Sequence, residues 1–241
     1  RWTAIDTSGV LVDNNIIIMP RRLTPLVSGQ VYHVFNRGIN HQPTFTDVSE
    51  NKRAIALIDY YLFLDTPIRF SKFLLIHHEL RNSILSSMKA KSLKHVDIMS
   101  YCLMPNHFHF LLRQIEDKGI SRFLSNFQNS YTRYYNTKNE RDGALFLGQF
   151  KGVLIETDEQ LIHVSRYIHL NPTTSYVVKD FDSLLNYQWS SLLEYLNNKP
   201  EICEIETIMS IFGTAANYKK FLEDQVEYQR ELDKIKHLVL E

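Results

Sequence analysis

Two histidines separated by one residue are the first feature of this sequence that could do chemistry. His107 and His109 lie in the run MPNHFHFLL (104–112), which otherwise has the apolar character of a buried strand. Strand side chains alternate between faces, so both imidazoles project to one side and Phe108 to the other. Such a pair can hold one divalent cation, although a metal site needs more than two donors. The alternative is one hydrogen-bonded core histidine and one exposed histidine.

A second group of reactive side chains lies in HVSRYIHLNP (163–172). Positions four apart share a helix face, so His163, Tyr167 and Asn171 form one stripe. A phenol with a pKa near ~10 is a poor nucleophile at neutral pH unless its pKa is lowered or a base takes its proton. A cation would instead neutralise an attacked phosphate and stabilise the leaving oxygen. The alternative is that Tyr167, one of 13 tyrosines, packs on a sheet and that Asn171 ends a helix.

The elements that must position these residues follow from the hydrophobic pattern. Strands are predicted at 29–37, 96–104, 107–113 and 150–156, and helices from Ser49 to about Leu64, at 70–92 and at 119–136. Pro105–Asn106 is a turn dipeptide, so the second and third strands should form a tight antiparallel pair. This order of elements is typical of an α+β, ferredoxin-like antiparallel sheet with helices on one face.

The residues after the fourth strand are predicted to be mostly helical. Thr157 and Gln160 fit a capping box that opens a helix, which should run to about Leu170 and stop before Pro172. Further on, the helical pattern continues with a candidate boundary near Asn197–Pro200. We expect a leader or upstream segment at 1–18, before Met19, a main domain at 19–197, and a small C-terminal helical extension at 198–241.

Composition restricts the class of protein. Apolar residues make up 44% and charged residues 22% of the chain, which is typical of a folded domain. No apolar run approaches the ~20 residues of a membrane helix, so we expect no membrane partner. Cys102 and Cys203 have neither metal nor disulfide spacing, which favours a reducing, cytoplasmic location.

The net charge of zero conceals an asymmetry. Residues 1–175 contain 20 Lys and Arg against 15 Asp and Glu, and residues 176–241 contain 7 against 12. A basic body suits a protein that meets a polyanion. The alternative is an unevenly charged surface without function.

Together the two motifs resemble the single-tyrosine transposases of the HUH endonuclease superfamily, and within it the REP-associated tyrosine transposases of the IS200-like group. The resemblance spans about residues 20–195, and its matching stretches are YHVFNRG (32–38), MPNHFHFLL (104–112), GALFLGQFK (143–151), RYIHLNP (166–172) and the WSS of Trp189–Ser191. It implies the HUH fold, which is a ferredoxin-like sheet. The chain departs from the family pattern at Phe146, where Trp is frequent, and at Gln149, where Arg is frequent.

The resemblance also implies a site and a reaction. His107, His109 and Asn171 would bind Mg²⁺ or Mn²⁺, and His163 would be a further ligand or would orient the tyrosine. Tyr167 would attack a backbone phosphate of single-stranded DNA beside a hairpin, forming a 5′-phosphotyrosine and a free 3′-hydroxyl that permit rejoining without ATP. The rival nucleophiles on the preceding helix are Tyr131, Tyr134 and Tyr135.

Basic residues around the motifs are candidate DNA contacts, because phosphate contacts position a nucleic-acid strand. They are Arg21, Arg22, Arg37, Arg113, Arg133, Lys151 and Arg166. The alternative for each is a solvated surface charge. The acidic extension should pack against the core or join a partner subunit, and a monomer and a homodimer both remain open.

Three functions are compatible with the sequence. The first is metal-dependent cleavage and rejoining of single-stranded DNA through Tyr167. The second is a hairpin-binding protein without cleavage activity, such as a repressor or a domesticated factor. The third is a metal hydrolase that uses water as the nucleophile, for which Tyr167→Phe would keep activity and His109→Ala would lose it.

Overall fold

A four-stranded antiparallel sheet organises the part of the chain that the computed structural model describes, residues 25–224. The strands are β1 (Val31–Arg37), β2 (Val96–Met104), β3 (His107–Gln114) and β4 (Lys151–Ile155). Their order in the sheet is β2-β3-β1-β4, and every neighbouring pair is antiparallel. The predicted ferredoxin-like order of strands and helices is confirmed. The predicted leader at 1–18 and the residues from 225 onward lie outside the described range.

Helices cover both faces of this sheet. They are α1 (Val48–Tyr61), α2 (Phe70–Phe73), α3 (His78–Lys91), α4 (Gly119–Lys138), α5 (Asp158–Thr174), α6 (Phe181–Leu184), α7 (Leu192–Leu196), α8 (Glu206–Phe212) and α9 (Ala215–Glu223). Phe108 and Phe110 of β3 pack on Phe123 and Phe127 of α4, and α1 packs against α4. These two helices cover the one face that the sequence predicts to be covered, and α5 adds a layer on the opposite face. Within residues 25–224 no helix is long and apolar enough to cross a membrane.

Two helix predictions are wrong near α1 and α3. The cap of α1 is Asp47 and not Ser49: the Asp47 carboxylate accepts from the backbone N–H of Glu50, and the Glu50 carboxylate accepts from the Asp47 N–H. This reciprocal pair satisfies two helix-end donors at once. The single helix predicted at 70–92 is two helices, because α2 ends after one turn and α3 begins anew at His78.

The predicted stop of α5 before Pro172 is also wrong, since the helix runs through this proline to Thr174. Proline lacks an N–H and ordinarily ends a helix within a residue or two. Here the backbone continues because Ser175 donates to the Asn171 carbonyl at 2.9 Å and Val177 donates to the Pro172 carbonyl at 2.8 Å. Asn171 therefore stays inside α5, on the turn that follows Tyr167.

The described part of the C-terminal extension packs against the domain, in agreement with one of its two predicted roles. Helix α9 contacts α5 and α7, and α8 contacts α9. The Tyr218 hydroxyl of α9 is fully buried, 2.8 Å from Ser165 Oγ and 2.7 Å from His169 Nδ1. On its other side His169 Nε2 lies 2.8 Å from Ser191 Oγ. This buried polar chain joins α9, α5 and the segment beside β2, so the extension fixes the helix that carries Tyr167.

His169 should make the stability of the protein pH-dependent. Complete burial lowers the pKa of His169 to about 3, whereas an unfolded histidine has a pKa near ~6.5. As the pH falls below ~6.5, the unfolded chain gains a proton that the folded chain does not accept until much lower pH. The free energy of unfolding therefore falls by up to about 1.4 kcal/mol per pH unit for this residue.

Urea titrations between pH 6.5 and 4.5 would measure this slope. We expect the free energy of unfolding of His169→Gln to fall less steeply with decreasing pH, because the unfolded variant takes up one proton fewer than unfolded wild type. His78→Gln, at an exposed position on α3, is the matched control and should keep the wild-type slope. Equal slopes for wild type and His169→Gln would contradict the assignment.

Candidate active site

The two histidines of the MPNHFHFLL motif lie side by side at the start of β3. Their ring centroids are 5.0 Å apart, and Phe108 between them packs on the opposite face of the sheet. The predicted shared orientation of the pair is therefore confirmed. His109 is buried with 5% of its surface exposed, and His107 is half-buried.

Burial keeps both imidazoles neutral. It lowers the pKa of His107 to about 4; a hydrogen bond to the Asn171 side chain acts in the opposite direction, and His41 and Arg37 add to the decrease. It lowers the pKa of His109 well below its usual value, and the neighbouring His107 and His33 add to this effect. Neutral imidazole has one ring nitrogen with a free lone pair, which is the form that binds metals.

The hydrogen bonds of His107 determine which nitrogen carries its proton. The Asn106 amide nitrogen donates to the His41 carbonyl at 3.3 Å, which leaves the Asn106 amide oxygen as the acceptor 2.7 Å from His107 Nδ1. His107 therefore donates through Nδ1, and the lone pair lies on Nε2. The sequence predicted Pro105–Asn106 only as the turn between two strands, but Asn106 also orients the His107 imidazole.

His109 also has a ring nitrogen whose hydrogen-bonding capacity is unsatisfied. Its Nδ1 lies 3.0 Å from His33 Nε2, whereas its Nε2 is buried and has no hydrogen-bond partner among residues 25–224. Buried polar atoms without a partner are rare, and each calls for an explanation such as a bound ion. A divalent cation bound to His109 Nε2 would satisfy this atom.

Tyr167 and Asn171 of α5 face this histidine pair. The half-buried Tyr167 ring stands edge-on to His109 at 5.4 Å between centroids and to His33 at 5.8 Å. Asn171, 2% exposed, lies one turn later and hydrogen-bonds His107. Two members of the predicted helical stripe thus meet the strand histidines, although 58 residues separate Tyr167 from His109 in sequence.

His163, the third member of the stripe, does not join them. Its Nδ1 lies 2.7 Å from an Arg166 guanidinium nitrogen, and its ring is 6.0 Å from that of Phe221 on α9. The side chain is exposed, and these contacts turn it towards α9 and not towards the sheet. The prediction of His163 as a metal ligand is therefore not supported by the geometry.

The donors that remain suit a hard divalent cation. In the described range no group of three or more His, Cys, Asp or Glu side chains could hold a metal. The site instead combines two imidazole nitrogens with the side-chain amide of Asn171, whose oxygen accepts from the Ser175 hydroxyl at 3.3 Å and keeps a second lone pair. Mg²⁺ or Mn²⁺ can complete such a mixed donor set with oxygens of water or phosphate. The residues present therefore fit the predicted cofactor.

His33 is the site residue that sequence reasoning missed. It lies in YHVFNRG (32–38), and strand alternation places His33, Phe35 and Arg37 on one face of β1. The register pairs Phe35 with His109 and Arg37 with His107, so this face is that of the histidine pair. The alternation was visible in sequence, but the pairing of β1 with β3 was not.

The three rival tyrosines lie on α4, across the sheet from the histidines. Tyr131 is fully buried and its hydroxyl donates to the Thr44 carbonyl at 2.5 Å. The Tyr135 hydroxyl donates to the Pro43 carbonyl at 2.9 Å, and that of Tyr134 lies 3.2 Å from Ser49 Oγ. Their hydroxyls bond to residues of the α1 side, so Tyr167 is the tyrosine that the fold brings to the histidine pair.

Two of the predicted DNA-contacting residues border the site. Arg37 is exposed opposite His107, with its guanidinium 2.7 Å from His41 Nε2. Lys151 is exposed opposite Phe35, with Nζ 6.0 Å from the centre of the Phe35 ring. Both cations therefore lie on the histidine face of the sheet, where a DNA strand could meet them.

The other predicted contacts are placed elsewhere. Arg133 is exposed on α4, across the sheet, and Arg113 is 3.8 Å from Asp97 and 3.1 Å from Thr207 Oγ1. Arg166 is 7% exposed, and its guanidinium lies 4.4 Å from the centre of the Phe221 ring. Phe221 of α9 covers this guanidinium, so the arrangement does not support Arg166 as a DNA contact. Arg21 and Arg22 lie outside the described residues.

Comparisons with known proteins bear on this geometry. Residues 72–171, which include both histidines, Tyr167 and Asn171, match the family model described as Transposase IS200 like. A solved structure of a REP-associated tyrosine transposase bound to a REP hairpin has the same fold, with a TM-score of 0.51 and 14% sequence identity over 76% of this chain and 90% of that chain. A search of curated proteins gave no significant match.

Proposed function

We propose that the chain acts as an IS200-like transposase, whose family model residues 72–171 match, and that it cleaves and rejoins single-stranded DNA with Tyr167 as the nucleophile. The observation that carries the proposal is the Tyr167 ring edge-on to His109 at 5.4 Å, beside a buried Nε2 that has no partner in the described structure. A nucleophile and an open ligand position thus share one site.

In the proposed transesterification Tyr167 supplies the nucleophile. Its phenol gives its proton to solvent water as its oxygen attacks the scissile phosphorus, and the bond from phosphorus to the 3′ oxygen breaks. The 3′ oxygen takes a proton from solvent water and leaves as a hydroxyl, and the 5′ phosphate stays on Tyr167. A 3′-hydroxyl of another strand then displaces the tyrosine. One phosphoester replaces another in each step, so no ATP is needed.

His107, His109 and Asn171 would hold the divalent cation against the attacked phosphate. When bound, such a cation neutralises phosphate oxygens and stabilises the leaving oxygen. Arg37 and Lys151 are exposed on the same face and would bind neighbouring phosphates, which makes affinity fall with salt.

A DNA hairpin is the proposed recognition element. The solved structure with the same fold carries a REP hairpin. At the two departures from the family pattern, Phe146 is buried against Phe45 and Phe108, and Gln149 is exposed in its loop. The proposed substrate is therefore single-stranded DNA that folds into a hairpin beside the cleavage point.

A covalent-adduct assay tests the proposal. The protein is incubated with 5′- or 3′-labelled hairpin DNA from the flanks of its own gene, in Mn²⁺ or in EDTA, and resolved on a denaturing gel. We expect an adduct in Mn²⁺ that EDTA abolishes and that His109→Ala reduces by at least about 100-fold. His78→Ala, an exposed histidine on α3, should retain it. Cleavage that persists in EDTA would contradict the metal-dependent mechanism.

A further inference from the structure

The contact between His33 and His109 has no role in the reaction described so far. His33 Nε2 lies 3.0 Å from His109 Nδ1, and the two rings are nearly parallel, with centroids 5.1 Å apart and an angle of 23°. Phe35, on the same face of β1, lies 5.0 Å from the His33 ring and 5.5 Å from the His109 ring. The pair is therefore held by packing as well as by its hydrogen bond.

A hydrogen bond between two imidazole nitrogens has two possible directions. If His109 donates through Nδ1, its Nε2 carries the lone pair. If His33 donates, His109 Nε2 carries the hydrogen, and that N–H is buried without an acceptor among the described residues. A buried donor without a partner costs about 1–3 kcal/mol and cannot bind a cation.

The neighbouring His107 shows the arrangement that donation by His109 would reproduce. Its Nδ1 donates to the Asn106 amide oxygen, whose orientation the His41 carbonyl determines. A partner that accepts from Nδ1 therefore leaves Nε2 of His107 with the lone pair. If His109 likewise donates through Nδ1, the Nε2 atoms of His107 and His109 both carry lone pairs that can bind one cation.

We propose that His33 is a positioning residue: it accepts the Nδ1–H of His109 and thereby holds the Nε2 lone pair of His109 in the site. The metal-binding role of His109 rests on the proposed function, and the contact of His33 with His109 rests on the 3.0 Å distance between their nitrogens. Metal-binding histidines commonly donate their second nitrogen to a partner that fixes the tautomer and the ring orientation. Here that partner is a third histidine, 76 residues away in sequence.

Nitrogen NMR of the full-length protein labelled with ¹⁵N-histidine tests the tautomer without metal or DNA. The long-range couplings of each ring distinguish a protonated Nδ1 from a protonated Nε2, and a His109→Gln sample identifies the His109 signals. We expect His109 to be protonated at Nδ1. Protonation at Nε2 would overturn the inference.

Mn²⁺ binding, followed by the paramagnetic resonance signal of the free ion, tests the consequence. We expect His33→Leu to weaken binding by about 10–100-fold. His33→Gln should stay close to wild type, because an amide oxygen reaches the position of Nε2 and can accept the same hydrogen bond. His78→Leu is the exposed control, and circular dichroism checks that each variant is folded.

The outcomes separate this inference from the proposed function. If wild type binds Mn²⁺ no better than His107→Ala and His109→Ala, the proposed metal site fails, and the NMR tautomer still decides the role of His33. If His109→Ala abolishes binding and a folded His33→Leu does not weaken it, the metal site stands and the role of His33 is overturned. Should His33→Leu fail to fold, loss of Mn²⁺ affinity in the folded His33→Gln would overturn it as well.

Discussion

Replacing Tyr167 by phenylalanine is expected to abolish the covalent protein–DNA adduct and to leave hairpin binding intact. The substitution removes the one oxygen that can carry the 5′ phosphate, and it keeps the ring that stands against His109 and His33. Loss of a nucleophile in an otherwise intact site lowers turnover by several orders of magnitude, so we expect a decrease of at least about 10³-fold. Single-turnover cleavage measures the first effect and a mobility-shift titration the second.

Tyr134→Phe is the matched control, since Tyr134 lies on α4 beneath the other face of the sheet. It should form the adduct at the wild-type rate. An adduct that survives Tyr167→Phe would assign the nucleophile elsewhere. Cleavage without an adduct, unchanged in Tyr167→Phe, would identify a water-using metal hydrolase. Hairpin binding by wild type without cleavage in any divalent metal would identify a DNA-binding protein that has lost its activity.

Replacing Gly119 by alanine is expected to lower the free energy of unfolding by about 3 kcal/mol. Gly119 opens α4, and an added Cβ would lie 2.1 Å from the His95 carbonyl oxygen. That carbonyl cannot easily move, because it accepts from the Ile115 and Glu116 N–H groups while the His95 N–H donates to Leu62. The helix-forming advantage of alanine over glycine, about 1 kcal/mol, offsets only part of the clash.

Urea unfolding of Gly119→Ala and of a matched glycine variant measures this effect. Gly148→Ala is the control, since a Cβ there meets no atom within 4 Å. We expect it to change stability by less than about 0.5 kcal/mol. Equal unfolding midpoints for both variants would show that α4 shifts away from His95 at little cost, and that its contact with β3 does not depend on this close approach.

The sequence by itself determined the local arrangement of the reactive groups. Strand alternation placed His107 and His109 on one face, and the Pro-Asn dipeptide placed a turn before them. Helical periodicity placed Tyr167 and Asn171 on one stripe. These relations hold because they depend only on the two- and 3.6-residue periods of strand and helix, which the backbone imposes wherever the segment lies.

The tertiary structure alone decided which of these groups meet. His163 shares the stripe of Tyr167 and yet turns towards Phe221, because α9 offers it a ring and Arg166 a hydrogen bond. Arg166 is withdrawn from the surface by the same helix. The contact with α9, which lies about 50 residues further along the chain, could not be predicted from the periodicity of α5, because propensity and periodicity describe only the helix itself.

His33 is the clearest example of what the sequence determines and what the tertiary structure decides. Its place on one face of β1 follows from the sequence, and its bond to His109 follows only from the pairing of β1 with β3. Strand pairing is specified by burial of the whole sheet and not by the residues that happen to meet in it. The motifs therefore predicted the reactive groups of the site, whereas the partner of His109 could be identified only from the tertiary structure of the sheet.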